Sequence, residues 1–296
     1  MKDTAKRYTQ RCVTLLRQCG ARIDRRARWT LVPLLVIVIL WTPIWSAAVR
    51  FTSLASASSD SLRVPILVYH SVAPTHPGQN AEQRLLDVDP ANFQRQMMYL
   101  AANKYTVIPL STLVAALQGH ANLPARAVVL TFDDGWLTQY QNALPILEQM
   151  HFTATFFVIT KQVGMGPKYM GVDELKALQR AGMTIASHTR THPKLVSVSD
   201  SQLRDEVLGS RQDLQKMLGI TSDLFAYPYG SWNKRVEAAV QDAGYVSARA
   251  FGGGSWNDSS DRFSLHSVPA TDDMAAFERE LGVQVVAARP LRFLPR

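Results

Sequence analysis

Cysteine is scarce in this sequence of 296 residues. Its two cysteines, Cys12 and Cys19, both precede the long apolar run at 29–49. No disulfide framework is therefore available after that run, and the fold there depends on its hydrophobic core. The Cys-x6-Cys spacing is a weak signal for zinc, and we interpret the pair as structurally incidental.

Excess positive charge is also missing from most of the chain, although the formal net charge is +8. Ten of the 32 Lys and Arg and three of the 24 Asp and Glu lie in residues 1–62, which leaves 22 basic and 21 acidic residues for the remainder. A nearly neutral main domain lacks the basic footprint of a nucleic-acid-binding protein.

The basic excess instead flanks an apolar run. Residues 29–49 contain no charged side chain, and about 20 apolar residues are enough to cross a bilayer. Four arginines directly precede the run, at positions 22, 25, 26 and 28, and the positive-inside rule keeps them in the cytoplasm. We therefore expect a single-pass anchor in the cytoplasmic (inner) membrane, with the domain that follows in the periplasm.

A cleaved signal peptide is the alternative to this anchor, because Ala55-Ser56-Ala57 forms an A-x-A pattern. The apolar part of a signal peptide usually has about 7–15 residues, and the run at 29–49 is longer. We expect four parts: a basic cytoplasmic segment at 1–28, a transmembrane helix at 29–49, a Ser/Ala-rich linker at 50–63 and one exported domain at 64–296.

The exported domain alternates apolar runs with segments of helical periodicity. Strands are predicted at 64–72, 106–110, 127–132, 152–159, 183–189 and 245–251, a strand followed by a loop at 222–230, and helices at 91–105, 111–119, 141–151, 171–182, 197–219 and 233–244. Ser111 is expected to be the N-cap of the second helix. This alternation indicates parallel β/α units, and the lack of a Gly-rich phosphate loop favours a distorted (β/α) barrel of about seven strands.

Chemically active residues follow two of these strands. Asp133-Asp134 comes after 127–132, and His188 and His192 come after the strand residues "MTIAS" at 183–187. A lone Asp-Asp-Gly is usually a turn, and a lone His-x3-His is usually solvated or buried in a core. In a barrel, however, functional loops gather at the carboxyl ends of the strands, where a carboxylate and two histidines form a standard zinc set with an open position for water. One aspartate would bind the cation while the other accepts a proton from that water.

Four segments carry a resemblance to a known family: "LTFDDGW", "FTATFFV", "SHTRTHPKL" and "FAYPYGSWN". In this order they resemble the motifs of the polysaccharide deacetylases, the NodB-homology carbohydrate esterases, over roughly residues 64–270. "PILVYHSV" and "FAYPYG" further resemble the subgroup that de-N-acetylates poly-β-1,6-N-acetylglucosamine in biofilm matrices.

The resemblance implies a role for each matching residue. Asp133 would be the general base, and Asp134, His188 and His192 would bind a divalent metal, with Zn first and Co or Ni as alternatives. The backbone N–H of Tyr229 would hold the oxyanion.

For each of two histidines there are two possible roles. His266, in "FSLHSVP", would be the acid that protonates the leaving amine, or else an ordinary surface histidine, because Ser264 stands where the family's motif has leucine. His70, after the first strand, would line the substrate pocket or merely cap the strand end.

One departure from the family concerns the base. Many members have an arginine three residues before the motif proline that orients the catalytic aspartate, and here Phe225 occupies that position. Arg190 or Arg249 could replace it in space. Without it, we expect Asp133 to be held loosely and the enzyme to be weak.

The sequence thus predicts metal-dependent hydrolysis of N-acetyl groups from a β-linked amino-sugar polysaccharide resembling poly-N-acetylglucosamine. Alternatives are a deacetylase of peptidoglycan, chitin oligomers or O-acetylated polysaccharide and, from another class, an inactive carbohydrate-binding module. The expected partners are the acetylated polysaccharide, the membrane and the machinery of polysaccharide synthesis or export.

Overall fold

The structure, a computed structural model, describes residues 61–76 and 78–282. The predicted cytoplasmic segment, membrane helix and most of the linker lie outside these residues. Within the described ranges, no helix combines the length and apolar character needed to span a bilayer.

Strands and helices alternate along the described chain. The strands are β1 (Leu62–Arg63), β2 (Ile66–Tyr69), β3 (Ser71–Val72), β4 (Asp87–Val88), β5 (Thr106–Val107), β6 (Ala127–Phe132), β7 (Thr155–Val158), β8 (Thr184–Ser187), β9 (Leu224–Ala226), β10 (Ser247–Gly253), β11 (Trp256–Asn257) and β12 (Leu265–Pro269). The helices are α1 (Ala81–Leu86), α2 (Pro90–Ala102), α3 (Leu110–Leu117), α4 (Leu144–Gln149), α5 (Val172–Arg180), α6 (Asp200–Leu218), α7 (Lys234–Asp242) and α8 (Met274–Leu281).

Seven parallel strands close into a barrel in the order β2-β12-β10-β9-β8-β7-β6, and β6 pairs again with β2. The predicted barrel of about seven strands is confirmed, but its membership differs. β5 lies outside the ring, and among the described strands it pairs with the start of β6 alone; Pro109, which has no N–H to extend a ladder, follows this short pairing. The segment with His266, which had not been predicted as a strand, is β12 and completes the ring.

Alternating side chains separate the barrel interior from the outer layers. The interior cluster contains Ile66, Val129, Phe157, Ala186, Ala226 and Leu265, together with apolar residues of α3. An outer cluster lies beneath α6 and α7 and contains Val207, Phe225, Val236, Val240 and Tyr245. Each fully buried large apolar side chain contributes roughly 1.5–3 kcal/mol, so both sides of the strands are fixed by burial.

Helix α6 has the ends that its sequence favours, whereas the predicted cap of α3 is absent. Ser199 accepts a hydrogen bond from Gln202 N at the start of α6, and Gly219 ends that helix in a left-handed conformation, as expected of Ser and Gly caps. The Ser111 N-cap prediction is wrong. Helix α3 begins at Leu110 without a side-chain cap, because Leu110 is itself buried in the core.

Candidate metal and catalytic centre

The end of β6 directs its two aspartates differently. Asp133 continues the ladder, since its N–H donates to Tyr69 O at 2.9 Å, and the residue is 3% exposed. Asp134 then adopts a left-handed backbone with φ of 72°. Gly135 follows with φ of +80°, and a Cβ there would lie 3.1 Å from Val158 Cγ1. The Asp-Asp-Gly sequence therefore makes a tight turn that places both carboxylates at the barrel mouth.

His188 directly follows β8 and is oriented by the neighbouring strand. Its Nδ1 lies 2.9 Å from Ala226 O, and since a carbonyl only accepts, Nδ1 carries the proton. Nε2 is thereby left as a lone-pair donor, the tautomer that a metal-binding histidine requires. His192 comes one short loop later, with φ of 64°.

Three ligand atoms converge in a small triangle. His188 Nε2 and His192 Nε2 lie 3.2 Å apart, and Asp134 Oδ1 lies 3.6 Å from the first and 3.5 Å from the second. Neighbouring ligands of a tetrahedral cation at 2.0–2.1 Å are separated by about 3.4 Å. The donor set and its spacing therefore fit a divalent cation such as Zn²⁺.

The protonation of His192 agrees with this fit. Burial, followed by the influence of His188, lowers the pKa of His192 to about 4. A neutral imidazole at physiological pH leaves a lone pair available for a metal.

A buried glutamate holds the loop between the two histidines. Glu206 on α6 is 3% exposed, and its Oε2 accepts hydrogen bonds from the backbone N–H groups of Arg190 and Thr191 at 2.8 and 2.9 Å. Its Oε1 accepts from Thr191 Oγ1. Thr189 in the same loop has φ of 68°, so these bonds stabilise a backbone that is otherwise unfavourable for a β-branched residue.

Asp133 is held by a fully buried arginine. Arg249 on β10 is 1% exposed, and its Nη2 lies 2.6 and 2.5 Å from Asp133 Oδ1 and Oδ2. Burial alone raises the pKa of Asp133, but the charges of Arg249, His188 and His70 outweigh it and leave this pKa below its ordinary value of 3.8. The carboxylate is therefore ionised at neutral pH.

The expectation of a loosely held Asp133 is wrong. The Phe225 side chain packs in the outer cluster against Tyr227 and Tyr245, so an arginine there would point away from the barrel interior. Arg249 supplies the guanidinium instead. Arg190, the other substitute considered, pairs with Asp205 and Asp213.

His70 and Tyr229 lie at this centre. His70 follows β2, with Nε2 4.0 Å from Asp133 Oδ2. The Tyr229 ring lies 4.6 Å from the His192 ring, and its backbone is left-handed with φ of 58°. Among the described residues, no acceptor bonds the Tyr229 backbone N–H.

His266 does not join this group. Its neighbours on β12, Leu265 and Ser267, are fully buried, and Leu265 belongs to the interior cluster, so His266 faces the other side of the strand. Its Nδ1 lies 2.8 Å from Trp256 O, and no described hydrogen bond or ion pair links it to Asp133, Asp134, His188 or His192.

Sequence reasoning missed Glu206, and it offered Arg249 only as one of two candidates. Arg249 carried one usable signal, a charged residue inside an otherwise apolar or small strand, "YVSARAF". Glu206 carried none, because it is one of several charged residues on an amphipathic helix.

A closed parallel barrel with an Asp/His donor set and a buried Asp–Arg pair at its mouth is an arrangement suited to metal-assisted hydrolysis. The family model for polysaccharide deacetylases matches residues 120–248. The Bacillus subtilis (strain 168) protein YxkH, a provisionally named polysaccharide deacetylase, is 26% identical over 213 residues, which cover 72% of this chain and 73% of that protein. The Streptococcus pyogenes deacetylase PplD, solved in complex with acetate, is 26% identical with a TM-score of 0.67 and covers 72% of this chain and 94% of its own.

The chain is thus similar to polysaccharide deacetylases over the segment that carries Asp133, Asp134, His188 and His192, and the comparisons support a hydrolase of that kind. It is also similar to the poly-β-1,6-N-acetyl-D-glucosamine N-deacetylase of Staphylococcus aureus (strain MSSA476), with 27% identity over 172 residues. That match spans 53% of this chain and 58% of the staphylococcal protein.

Proposed function

We propose that this enzyme hydrolyses N-acetyl groups on a β-linked, N-acetylglucosamine-containing polysaccharide. The observation that carries the proposal is the ionised, arginine-held Asp133 beside the ligand triangle of Asp134, His188 and His192. Poly-β-1,6-N-acetylglucosamine is the first candidate polymer, because a relative at 27% identity is named for it.

Asp134, His188 and His192 would hold a divalent cation, with Zn²⁺ the first candidate. When bound, such a cation supplies Lewis acidity, which polarises a carbonyl and lowers the pKa of water. Asp133 accepts the proton of the attacking water as that oxygen bonds to the acetyl carbon. Arg249 keeps the carboxylate ionised and pointed at the site until then.

Two further groups complete the hydrolysis. The Tyr229 N–H donates to the carbonyl oxygen as its negative charge develops. The C–N bond then breaks, acetate leaves and the nitrogen takes up a proton. His70, 4.0 Å from Asp133, is better placed to deliver this proton than His266, whose acid role stays a prediction from the family resemblance.

Release of acetate tests this function. The purified protein is incubated with oligomers of β-1,6- and β-1,4-linked N-acetylglucosamine, peptidoglycan strands and O-acetylated polysaccharide. We expect acetate from an N-acetylated oligomer, loss of activity with a chelator and recovery with Zn²⁺, Co²⁺ or Ni²⁺. Release from O-acetyl substrates alone, or full activity in metal-free protein, would contradict the proposal.

His70→Gln and His266→Gln separate the two candidate acids. We expect the first to slow release of acetate from unactivated amides far more than release from an activated ester, whose leaving group needs no proton. His266→Gln should leave both rates unchanged. The reverse pattern would return the acid role to His266.

We also propose that residues 29–49 tether the enzyme to the cytoplasmic membrane, with its catalytic domain outside. The basic residues before this run and the polymeric substrate support this location. Machinery for synthesis or export of the polysaccharide is the partner that such a position favours.

A further inference from the structure

The ladder between β2 and β6 ends at the barrel mouth, beside the two residues that would exchange protons with the substrate. Its last backbone bond runs from Asp133 N–H to Tyr69 O at 2.9 Å. Within the described ranges, no backbone bond joins Asp133 O to the segment after His70. A side chain takes the place of that bond, because Gln139 Nε2 donates to Asp133 O at 2.5 Å and to His70 O at 2.7 Å.

The Gln139 amide is fully committed to these two bonds. Gln139 is buried, with 0% exposure, and both hydrogens of its amide nitrogen are used, one on each carbonyl. Since carbonyls only accept, the atom that faces them is the nitrogen and not the oxygen. Gln139 Oε1 is left buried, without a hydrogen-bond partner in the described part of the chain. A buried unpaired acceptor costs free energy, and the two donated bonds explain why the residue is nevertheless placed here.

Gln139 begins a π-helical turn of five residues that faces the segment after β2. Single π-helical turns occur frequently at functional sites. On the same helix face, Thr138 Oγ1 lies 3.2 Å from Ser71 Oγ. Asn142 Nδ2 donates to Val72 O at 2.7 Å. The three consecutive residues after β2 are therefore each bonded to this helix face, and Gln139 also bonds the backbone of the proposed base.

The two residues that Gln139 holds differ in their other support. Asp133 has its ladder bond and, at its carboxylate, the Arg249 guanidinium. Among the residues that the structure describes, no hydrogen bond fixes the His70 ring, which lies edge-on to Phe251 and 4.0 Å from Asp133 Oδ2. Loss of the bond at His70 O would therefore displace the His70 ring, whereas Asp133 would stay in place.

We propose that Gln139 is a positioning residue that sets the separation of Asp133 and His70, the base and the favoured acid of the hydrolysis. Its buried side chain does not reach the substrate, so it acts only through these two residues. The inference rests on the proposed function and deepens it. A displacement of about 1 Å near a catalytic group can lower a rate about 100-fold, so loss of this one amide should be measurable.

Gln139→Met tests the positioning. Met has a similar length and donates no hydrogen bond, and the change also removes the unpaired oxygen, which partly offsets the two lost bonds. We expect kcat on an N-acetylated oligomer to fall about 10- to 100-fold, with KM and Zn²⁺ affinity unchanged. Release of acetate from an activated ester, whose leaving group needs no proton, should fall far less, because Asp133 keeps its other support. Equal slowing of both substrates would overturn the inference.

Two further variants distinguish positioning from a general loss of structure. Gln139→Asn keeps an amide that is one methylene shorter and cannot span both carbonyls, so it should lower kcat on the oligomer even if Gln139→Met fails to fold. Asn142→Leu is the matched control, since it removes an amide-to-carbonyl bond between the same turn and the same segment. It should lower kcat far less than either Gln139 variant. Full activity in Gln139→Asn, or equal losses at the two positions, would refute a specific role of Gln139.

A double-mutant cycle shows whether Gln139 acts through His70. His70→Gln alone should slow acetate release from the oligomer. Adding Gln139→Met should then lower the rate little further, because the group that it positions is gone. Losses that multiply, or an oligomer rate that His70→Gln does not change, would show that Gln139 does not work by positioning this histidine.

Crystal structures of the variants separate this inference from the proposed function. If no substrate releases acetate from the wild type, the proposed function fails, yet the structure of Gln139→Met or Gln139→Asn still decides the positioning. We expect the Asp133 carboxylate to remain beside Arg249 and the His70 ring to leave its 4.0 Å separation from Asp133. A His70 peptide and ring in unchanged positions would rule out Gln139 as the residue that places them.

Discussion

Replacing Arg249 with Met removes the guanidinium that compensates Asp133 while keeping much of the side-chain volume. Asp133 is 3% exposed and Arg249 is 1% exposed, so the carboxylate would be left buried beside a neutral group. Loss of one partner from a buried pair typically costs about 3–5 kcal/mol. We expect the free energy of unfolding to fall by this amount at neutral pH, measured by urea denaturation of metal-free protein.

The stability loss in Arg249→Met should depend on pH. In the wild type the pKa of Asp133 lies below 3.8, so its contribution to stability is present above that pH and is lost as the pH falls through the folded pKa. In Arg249→Met, burial raises this pKa, and protonation of the carboxyl relieves the penalty. The stability gap between wild type and variant should therefore be largest at neutral pH and narrow as the pH falls. Arg190→Met, which breaks partly exposed ion pairs, is the control and should lower the free energy of unfolding by less. A stability difference between wild type and Arg249→Met that does not change with pH would refute the reasoning.

A relocated arginine tests whether the loss of activity is due to positioning. Ala226 is the register partner of Arg249 on β9 and faces the barrel interior. Arg249→Ala should lower kcat by at least about 100-fold, as for removal of a general base, with metal content retained. Adding Ala226→Arg should recover at least tenfold of that loss, whereas adding Phe225→Arg should not, because that side chain points outward. Equal rescue by both would show that our assignment of the two faces is wrong.

Three further predictions concern the ligands, their support and the membrane segment. Asp134→Asn should lower metal content and turnover together. Asp133→Asn should keep the metal and lose turnover about 10²–10⁴-fold. Equal metal loss in both variants would mean that the two carboxylates share the cation. Glu206→Gln should weaken metal binding about 10–100-fold, measured by titration with Zn²⁺. Asp205→Asn, at the neighbouring exposed position, is the control and should bind Zn²⁺ as the wild type does. Equal Zn²⁺ affinities of the two variants would show that Glu206 does not support the site. A reporter fused after Arg296 should be active only in an exported compartment, and cytoplasmic activity would reverse the proposed orientation.

The barrel could be predicted because its strands are apolar runs between helical segments of regular spacing. β12 was missed because His266 and Ser267 interrupt its apolar character. Ser267 is tolerated in the interior because its hydroxyl donates to Ala250 O at 2.9 Å, a partner that sequence cannot supply. Side chains alternate along a strand, so assigning Leu265 to the barrel interior would have shown that His266 faces away from it.

The ligand triangle could be predicted because its residues immediately follow strands whose ends must meet. The ion pair that holds Asp133 could not be predicted, because Arg249 lies 116 positions away in the sequence. The β9–β10 register decides which side chains point into the barrel, and the sequence alone does not give that register. Phe225 and Ala226 are adjacent in sequence and lie on opposite faces, so an error of one position changes the conclusion entirely.

Because β12 closes the ring, the choice of fragment boundaries decides whether a recombinant piece of this protein can fold. The segment that matches the family model, residues 120–248, contains the three ligand atoms and Asp133. It omits β2 with His70, the Arg249 guanidinium and all of β12. A recombinant fragment cut at those boundaries would have an open sheet with unpaired edges and an uncompensated buried carboxylate. We would expect it to aggregate rather than report on catalysis, and expression should begin before residue 62 and extend beyond α8.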